Sequence, residues 1–193
     1  MSNHFYAMMS RMKYIERWAL MRNSSPENIS EHSLEVAMIA QALAIIGNVR
    51  FGKNYNPERC AVIALYHDCS EIITGDMPTP VKYYNKDIKH IYHEIEDNAN
   101  ESLLSMLPDD IAKEYRQYFF KQEDDAELWK LVKAADKLSA LVKCIEEENF
   151  GNREFTSAKE ATRSAIREMN VPEADEFLRE FVPSYSLTLD NLR

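Results

Sequence analysis

The sequence predicts an all-α fold, and three observations lead to that prediction. Only 4 of the 193 residues are glycine, which is costly inside helices, whereas good helix formers such as alanine, leucine, glutamate and lysine are plentiful. Apolar residues recur every three or four positions in most long segments, which is the period of an amphipathic helix. No segment of useful length alternates apolar and polar residues as a strand would. We therefore expect a single-domain helical bundle.

The predicted helices of the first half of the chain are marked by capping residues and by residues that end a helix. Ser30 is expected to cap the second helix and Gly47 to end it. Asn56 followed by Pro57 is typical of the start of the third helix. A proline-stiffened loop, residues 75–80, cannot be helical throughout. The predicted helices cover residues 2–16, 30–47, 59–66 and 71–74.

The second half of the chain shows clearer helical periodicity. A long amphipathic helix is expected from about residue 85 to 107, with Ile88, Ile91, Tyr92, Ile95 and Ala99 on one side. Pro108 should open a short helix after it. Three further helices are predicted over about residues 124–148, 154–169 and 172–181.

Composition and charge limit the classes of protein to consider. The chain is 45% apolar and 28% charged, as is usual for a soluble globular protein. A formal net charge of −9 argues against long DNA or RNA as a partner. A single nucleotide is compatible with this charge, because a metal ion and one or two cations can reverse the local field.

The location predicted from the sequence is the cytoplasm. No apolar run has the length expected of a membrane span, and the N-terminus lacks the features of a signal peptide. The three cysteines, Cys60, Cys69 and Cys144, show no CxxC spacing, so we interpret them as reduced thiols.

Adjacent His67 and Asp68 follow directly after an apolar run, at the predicted end of the third helix. Neutral imidazole and ionised carboxylate both bind divalent ions. His32 falls in the first turn of the second helix, and Asp136 lies among apolar residues, where an ionised aspartate is rarely without a partner. Together the four side chains would fill four positions around one divalent ion and leave others for water and a phosphate oxygen.

Each of the more distant members also has a simpler interpretation. His32 could be a surface histidine near a helix start. Asp136 could pair locally with Lys133 or Lys137. His90 and His93 lie one turn apart among polar neighbours, so an exposed helix face is expected for them rather than a second metal site.

The order His32, His67-Asp68 and Asp136 resembles the HD-domain phosphohydrolase superfamily. The resemblance to its bacterial 5′-deoxynucleotidase family extends over nearly the whole chain. It includes Arg17-Trp18, the string Glu-His-Ser at residues 31–33, Tyr-His-Asp followed by Glu71, and Gly-Asp-Met-Pro-Thr-Pro-Val-Lys at residues 75–82. It implies one HD domain over residues 1–193, with a core at about 28–145 and terminal helices packed on it.

The resemblance also implies an activity and its cofactor. The reaction would be hydrolysis of deoxyribonucleoside 5′-monophosphates to deoxynucleoside and phosphate, with selection against ribonucleotides. The protein would be a cytoplasmic homodimer with one divalent ion, cobalt being favoured and manganese, copper or zinc being alternatives. The implied metal ligands are His32, His67, Asp68 and Asp136. The implied substrate contacts are Arg17, Trp18, His32, Asp68, Asp76, Met77, Pro78, Thr79 and Asp136.

The catalytic roles can be argued from the residues themselves. Glu71 lies three residues after Asp68, hence on nearly the same side of a helical turn, where it could orient or deprotonate the attacking water. Asp76 could protonate the leaving 5′-oxygen, or the two carboxylates could exchange roles. Arg17 offers a forked donor to phosphate oxygens. Trp18 has the size to pack against C2′ of the sugar and exclude a hydroxyl there.

The same residues allow structural interpretations as well. Glu71 could hold a ligand histidine, Arg17 could form an interhelical ion pair, and Trp18 could pack in the core. The alternative functions are a deoxynucleoside triphosphate triphosphohydrolase and a non-catalytic HD ligand-binding module. A cyclic-nucleotide phosphodiesterase is disfavoured, because a string of the HHExxDGxGYP type is absent.

Overall fold

The structure is a computed structural model that describes residues 3–82 and 85–192, without the side chains of Thr79 and Pro80. The predicted substrate contact by the Thr79 side chain therefore lies outside the described residues. Within them the chain is helical, and the only strand-like feature is an isolated antiparallel bridge between Glu16 and Asn28. The prediction of an all-α fold is confirmed.

The α-helices are numbered in chain order. They are α1 Phe5–Met9, α2 Ile29–Phe51, α3 Pro57–Tyr66, α4 Glu71–Thr74, α5 Thr79–Lys82, α6 Lys86–Leu104, α7 Asp109–Phe119, α8 Ala126–Asn149, α9 Thr156–Glu168 and α10 Pro172–Glu180. Short 3-10 helices occur at Ser10–Tyr14, Glu123–Asp125, Arg153–Phe155, Val182–Ser186 and Leu189–Leu192.

Contacts between residues group the chain into two compact units. The first unit comprises the described residues of Met1–Met21, Pro26–Ser33 and Tyr66–Gln122. The second unit comprises those of Arg22–Ser25, Leu34–Leu65 and Glu123–Arg193. That residues 1–193 act as one domain stays a prediction.

The first unit has its own hydrophobic core. Aromatic rings from three segments meet in it: the Tyr66 ring stacks on Phe119 with centroids 5.3 Å apart, and Phe5 packs edge-on against Tyr115 at 5.3 Å. The buried members of this core are Phe5, Met12, Ile29, Cys69, Leu103, Leu104, Leu107 and Phe119. The core thus joins the residues before α2 to α6, α7 and the segment between α3 and α4.

The apolar side of α6 that the sequence indicated is only partly buried. Tyr92 and Ala99 are buried, but Ile91 and Ile95 are 54% and 46% exposed. The buried stripe continues to Leu103, four residues after Ala99, so it runs along a neighbouring face of the helix. Periodicity identified a helix here, but it could not identify which face the core of the first unit would cover.

The N-terminal helix is shorter than predicted. Only Phe5–Met9 is α-helical, Ser10–Tyr14 is a 3-10 helix, and Ile15 is extended. The amide of Ile29 donates to the carbonyl of Ile15 at 3.0 Å. Pairing with the first residue of α2 therefore ends the helix earlier than the apolar spacing indicated.

The start and the end of α2 also differ from the prediction. Asn28, not Ser30, caps the helix, because its side chain accepts from the amides of Ser30 and Glu31 at 3.0 and 3.1 Å. Glu31 reciprocates by accepting from the Asn28 amide at 3.3 Å, which completes a capping box. At the other end α2 continues past Gly47 to Phe51. Glycine at position 47 is required by close packing instead, since a Cβ there would lie 2.6 Å from the Tyr55 ring.

One described helix, α2, is long and apolar enough to cross a membrane by length and composition alone. The prediction that no apolar run has the length expected of a membrane span is therefore wrong for this helix. The most apolar 18-residue window has a mean hydropathy of 1.4, and 44% of it is buried inside the protein. Core helices of soluble proteins meet the same criterion, so the observation is weak evidence for a membrane span.

The second unit is built on α8, which packs against α9, α10 and the 3-10 helix Val182–Ser186. A buried ion pair lies on α8, where Lys143 donates to Glu147 at 2.5 Å. Glu147 also accepts from the amides of Ser24 and Ser25 at 2.8 and 3.1 Å and from Asn152 at 2.8 Å. One carboxylate therefore ties residues 24 and 25 to the C-terminal part of α8.

We expect Glu147→Ala to lower the free energy of unfolding by about 3–5 kcal/mol, because it leaves Lys143 charged and buried without its carboxylate. Urea denaturation would measure the change. Glu160→Ala, at an exposed position of α9, is the control and should stay within about 0.5 kcal/mol of the parent. Equal losses in the two variants would contradict the prediction.

The same carboxylate predicts a pH dependence of stability. Burial opposes ionisation, but hydrogen bonds from Lys143, Ser24 and Asn152 outweigh it and lower the pKa of Glu147 to about 2. The unfolded chain, with an ordinary glutamate pKa, then binds more protons below about pH 4.5. This contribution is fully present above about pH 4.5 and is lost as the pH falls towards 2. Glu147→Gln should remove it.

Candidate metal centre

His32 lies in the first turn of α2 and is fully buried. The capping box formed by Asn28 and Glu31 sets where this helix begins, and the His32 amide donates to the Asn28 carbonyl at 3.1 Å. The simpler interpretation of His32 as a surface histidine is therefore wrong. Because a buried polar side chain is costly without partners, a fully buried imidazole is expected to lie against other polar groups.

His67 and Asp68 lie in the turn between α3 and α4. The turn is closed by the amides of Cys69 and Glu71, which donate to the carbonyls of Tyr66 and Asp68 at 3.2 and 3.0 Å. The turn follows α3 directly, as predicted. Asn56 and Pro57 begin that helix, which is 10 residues long, so His67 is the first residue after it.

Asp68 is at the centre of a group of polar side chains in the first unit. Its Oδ2 lies 3.1 Å from His67 Nε2, 3.4 Å from His32 Nε2 and 3.5 Å from Arg17 Nη1. The two imidazole rings have centroids 5.4 Å apart. Burial tends to raise the pKa of Asp68, but the adjacent His67 and His32 outweigh it and hold the pKa well below its usual range. The carboxylate is therefore charged at neutral pH.

Asp136 lies on α8 and is half-buried. A potential ligand atom from each of His32, His67, Asp68 and Asp136 lies within 4.8 Å of the others. Two imidazole nitrogens and two carboxylate oxygens are a donor set that fits a divalent transition-metal ion. The predicted His/Asp cluster is thus present and could hold such an ion.

His90 and His93 do not join this group. Both are exposed on α6, where His90 lies 3.5 Å from Glu94 and His93 lies 3.3 Å from Glu96. Their positions agree with the exposed helix face that the sequence predicted for them.

Arg17 lies beside the cluster and shares one hydrogen-bond acceptor with Trp18. Arg17 Nε and Trp18 Nε1 each donate to Glu27 Oε2 at 3.0 Å. Trp18 has a φ of +59°, which is unusual for a large side chain. Sequence reasoning missed Glu27, because nothing in its polar surroundings distinguishes it from other surface glutamates. The pairing of residues 16 and 28 brings it to Arg17.

Glu71 is buried at the start of α4, and its Oε2 accepts no hydrogen bond from the described residues. Burial, followed by the negative charges of Asp68 and Asp76, raises the pKa of Glu71 to about 10. Burial also raises the pKa of Asp76, although the charge of Arg17 opposes this. Two carboxyl groups with raised pKa values near a cluster of metal ligands are typical of acid–base catalysis.

The loop after α4 places further predicted residues in half-buried positions. Asp76 accepts from the backbone amide of Trp18, and Met77 and Pro78 are half-buried. Lys82 donates to Glu96 at 2.7 Å and lies over the Tyr92 ring at 4.7 Å. Lys82 is thus held within the first unit, which the sequence alone did not decide.

The helical fold and the His/Asp cluster define a metal-dependent phosphohydrolase of the HD-domain class. The chain belongs to the 5′-deoxynucleotidase YfbR-like family, whose model matches residues 4–185. A 5′-deoxynucleotidase of Vibrio vulnificus (strain YJ016) is 49% identical over 190 residues, which are 98% of each chain. One from Erwinia tasmaniensis is 48% identical over 98% of this chain and 96% of its own.

Solved structures agree with this assignment. An HD-domain phosphohydrolase from Listeria innocua has a TM-score of 0.78 and 27% identity, covering 96% of this chain and 90% of its own. The cyanophage S-2L HD phosphohydrolase, bound to dA and one catalytic Zn²⁺, has a TM-score of 0.67 and 20% identity over 94% of this chain and 96% of its own. The latter shows a shared fold. The predictions of the family, the fold and the enzyme class, a phosphoric monoester hydrolase, are confirmed.

Proposed function

We propose that this protein hydrolyses deoxyribonucleoside 5′-monophosphates to deoxynucleoside and phosphate, using one divalent ion. The observation that supports this most directly is the position of Arg17, whose Nη1 lies 3.5 Å from Asp68 in the His/Asp cluster. An ion site beside a fixed guanidinium suits a phosphate monoester, whose two negative charges need two positive partners. Membership of the 5′-deoxynucleotidase family supports the same substrate class.

In this proposal the ion is held by His32, His67, Asp68 and Asp136. Cobalt is favoured by the family resemblance, and manganese, copper and zinc have compatible donor preferences. When bound, the ion neutralises phosphoryl charge and lowers the pKa of coordinated water from 15.7 to about 7. Phosphate monoester hydrolysis is among the slowest uncatalysed reactions, so a contribution of this kind is needed.

The remaining groups have roles around the phosphate. Arg17 binds and orients phosphoryl oxygens, and it keeps the ester bond in line with the attacking water. One of Glu71 and Asp76 accepts the proton from that water, and the other donates one to the leaving 5′-oxygen. Burial raises the pKa of both carboxyl groups, which suits groups that exchange protons with the reactants. The proposed substrate contacts also include Met77, Pro78 and Thr79.

We expect Trp18→Ala to erode the preference for deoxyribonucleotides over ribonucleotides by up to about 10²-fold, the discrimination that an apolar surface achieves against an added hydroxyl. The ratio of kcat/KM for dAMP and AMP would measure it. Metal content should be unchanged, because Trp18 is not a ligand. The matched control is Trp129→Phe on α8, and an unchanged ratio in Trp18→Ala would refute the prediction.

The test of the function is a panel of phosphate-release assays. Deoxynucleoside monophosphates, the matching ribonucleotides and deoxynucleoside triphosphates are each assayed with cobalt, manganese, copper or zinc and with a chelator. Metal-dependent release from the deoxynucleoside monophosphates supports the proposal. Release of triphosphate from deoxynucleoside triphosphates would favour the triphosphohydrolase alternative. No release with any metal would leave the ligand-binding module as the better description.

We also propose that residues 1–193 form one HD domain that acts as a cytoplasmic homodimer, with neither a membrane nor a nucleic acid polymer as partner. An exposed apolar stripe on α2, formed by Leu34, Met38, Ile45 and Val49, offers a surface for a second copy. Analytical ultracentrifugation should then give about twice the chain mass of 22.5 kDa.

A further inference from the structure

We propose that Glu27 is a positioning residue that holds Arg17 and Trp18 together, so that phosphate binding and sugar selection depend on one carboxylate. This inference rests on the proposed function for the roles of Arg17 and Trp18. The contacts of Glu27 themselves are independent of any activity.

The argument begins with a shared acceptor atom. Oε2 of Glu27 accepts from Arg17 Nε and from Trp18 Nε1, each at 3.0 Å. The side chains of Arg17 and Glu27 are only 11% and 12% exposed. Hydrogen bonds to a charged acceptor are stronger than those between neutral groups, and limited exposure reduces competition from water.

The backbone places Glu27 where it can make both contacts. The Arg17 amide donates to the Glu27 carbonyl at 2.9 Å, and the Ile29 amide donates to the Ile15 carbonyl at 3.0 Å. These bonds flank the bridge between Glu16 and Asn28. The two segments run antiparallel, so the side chain of Glu27 lies beside that of Arg17.

Both partners need to be held in place. Trp18 has a φ of +59°, a left-handed conformation that costs energy for a large side chain and persists only when its surroundings stabilise it. Arg17 has many rotamers, and only some of them direct its fork towards a phosphate. With Nε bound to Glu27, Nη1 lies 3.5 Å from Asp68. Glu27 thus fixes the Nε edge of the guanidinium, and the Nη1 end lies beside Asp68, a proposed metal ligand.

The consequence is a coupling between two subsites. Loss of the Glu27 carboxylate should loosen Arg17, which raises KM for the phosphate ester. It should also loosen the indole of Trp18, which lowers the ratio of dAMP to AMP turnover. We expect Glu27→Ala to change each quantity by about tenfold, the lower end of the effect seen when an outer partner of a site residue is removed.

Conservative and double variants distinguish positioning from general damage. Glu27→Gln keeps an oxygen that can accept both bonds and should restore most of the sugar discrimination. In the Arg17→Ala background Glu27→Ala should raise KM no further, because its effect acts through Arg17. Glu16→Ala, an exposed neighbour in the same segment, is the control and should leave both quantities unchanged.

A spectroscopic measurement tests the contact without any assay. In the Trp129→Phe background Trp18 is the only tryptophan, and its indole N–H resonance reports the bond to Glu27. Glu27→Ala should shift that resonance upfield, whereas Glu16→Ala should not. An unmoved resonance, or an unchanged KM and sugar ratio in folded Glu27→Ala, would overturn the proposal.

The outcomes separate the two levels of inference. If the parent protein releases no phosphate, the proposed function fails, while the indole resonance still decides whether Glu27 positions Trp18. If Glu27→Ala does not fold, Glu27→Asp takes its place. The aspartate is one methylene shorter and cannot reach both donors, so it should show the same joint loss, and parent-like behaviour would overturn the proposal.

Discussion

Asp68→Asn is expected to abolish metal binding and to lower kcat/KM for dAMP by about 10³-fold or more. Asp68 is in close contact with two other members of the cluster, 3.1 Å from His67 and 3.4 Å from His32. Asparagine keeps the shape but removes the charge that attracts the ion. Losing an ion that contributes several kcal/mol to transition-state stabilisation corresponds to a decrease of this size. Metal analysis of the purified variant and steady-state kinetics would measure both effects.

The matched control for this prediction is Asp87→Asn. Asp87 lies in the first turn of α6 in the same unit and is exposed. It should retain full metal content and activity. Parent-like metal content and turnover in Asp68→Asn would show that the cluster does not hold the catalytic ion, and the proposed mechanism would then be wrong.

The second large effect is expected for Glu71→Gln, which should lower kcat by about 10²–10⁴-fold, the usual contribution of a general acid or base. Because Glu71 is not a proposed ligand, metal content and KM should change little. Burial and the charges of Asp68 and Asp76 raise its pKa to about 10. The metal-free protein therefore carries a neutral Glu71 at pH 7, and neutral glutamine should leave its stability within about 0.5 kcal/mol of the parent.

Glu94→Gln is the control for Glu71→Gln, since Glu94 is an exposed carboxylate on α6. It should behave like the parent protein in every measurement. Loss of metal from Glu71→Gln would instead assign Glu71 to holding a ligand histidine in place. Unchanged kcat would leave Asp76 as the carboxyl group that matters for proton transfer.

Much of the local structure could be predicted from the sequence. The start of α3 at Asn56 and Pro57 depends on the bonding preferences of those two residues, and the structure has it where the pattern indicated. The position of His67 and Asp68 follows from this start, because the two residues come directly after the apolar run that forms α3. At α2 capping preferences alone predicted the wrong residue, Ser30, because Asn28 and Ser30 are both good N-caps. The reciprocal bond with Glu31 decided for Asn28.

The features that sequence reasoning missed depend on contacts between distant segments. Glu27 looks like any surface glutamate until the bridge between Glu16 and Asn28 brings it to Arg17 and Trp18. The exposure of Ile91 on α6 depends likewise on which face the first unit covers.

The amino-acid sequence by itself determined the helical class, the family and the identity of the His/Asp ligand candidates. Those features depend on residue types and on spacings along the chain. Only the tertiary structure decided that His32 is buried, that Glu71 has a raised pKa and that one oxygen of Glu27 serves two side chains. Burial and pKa depend on what surrounds a group in space, and that environment comes from residues far away in the chain.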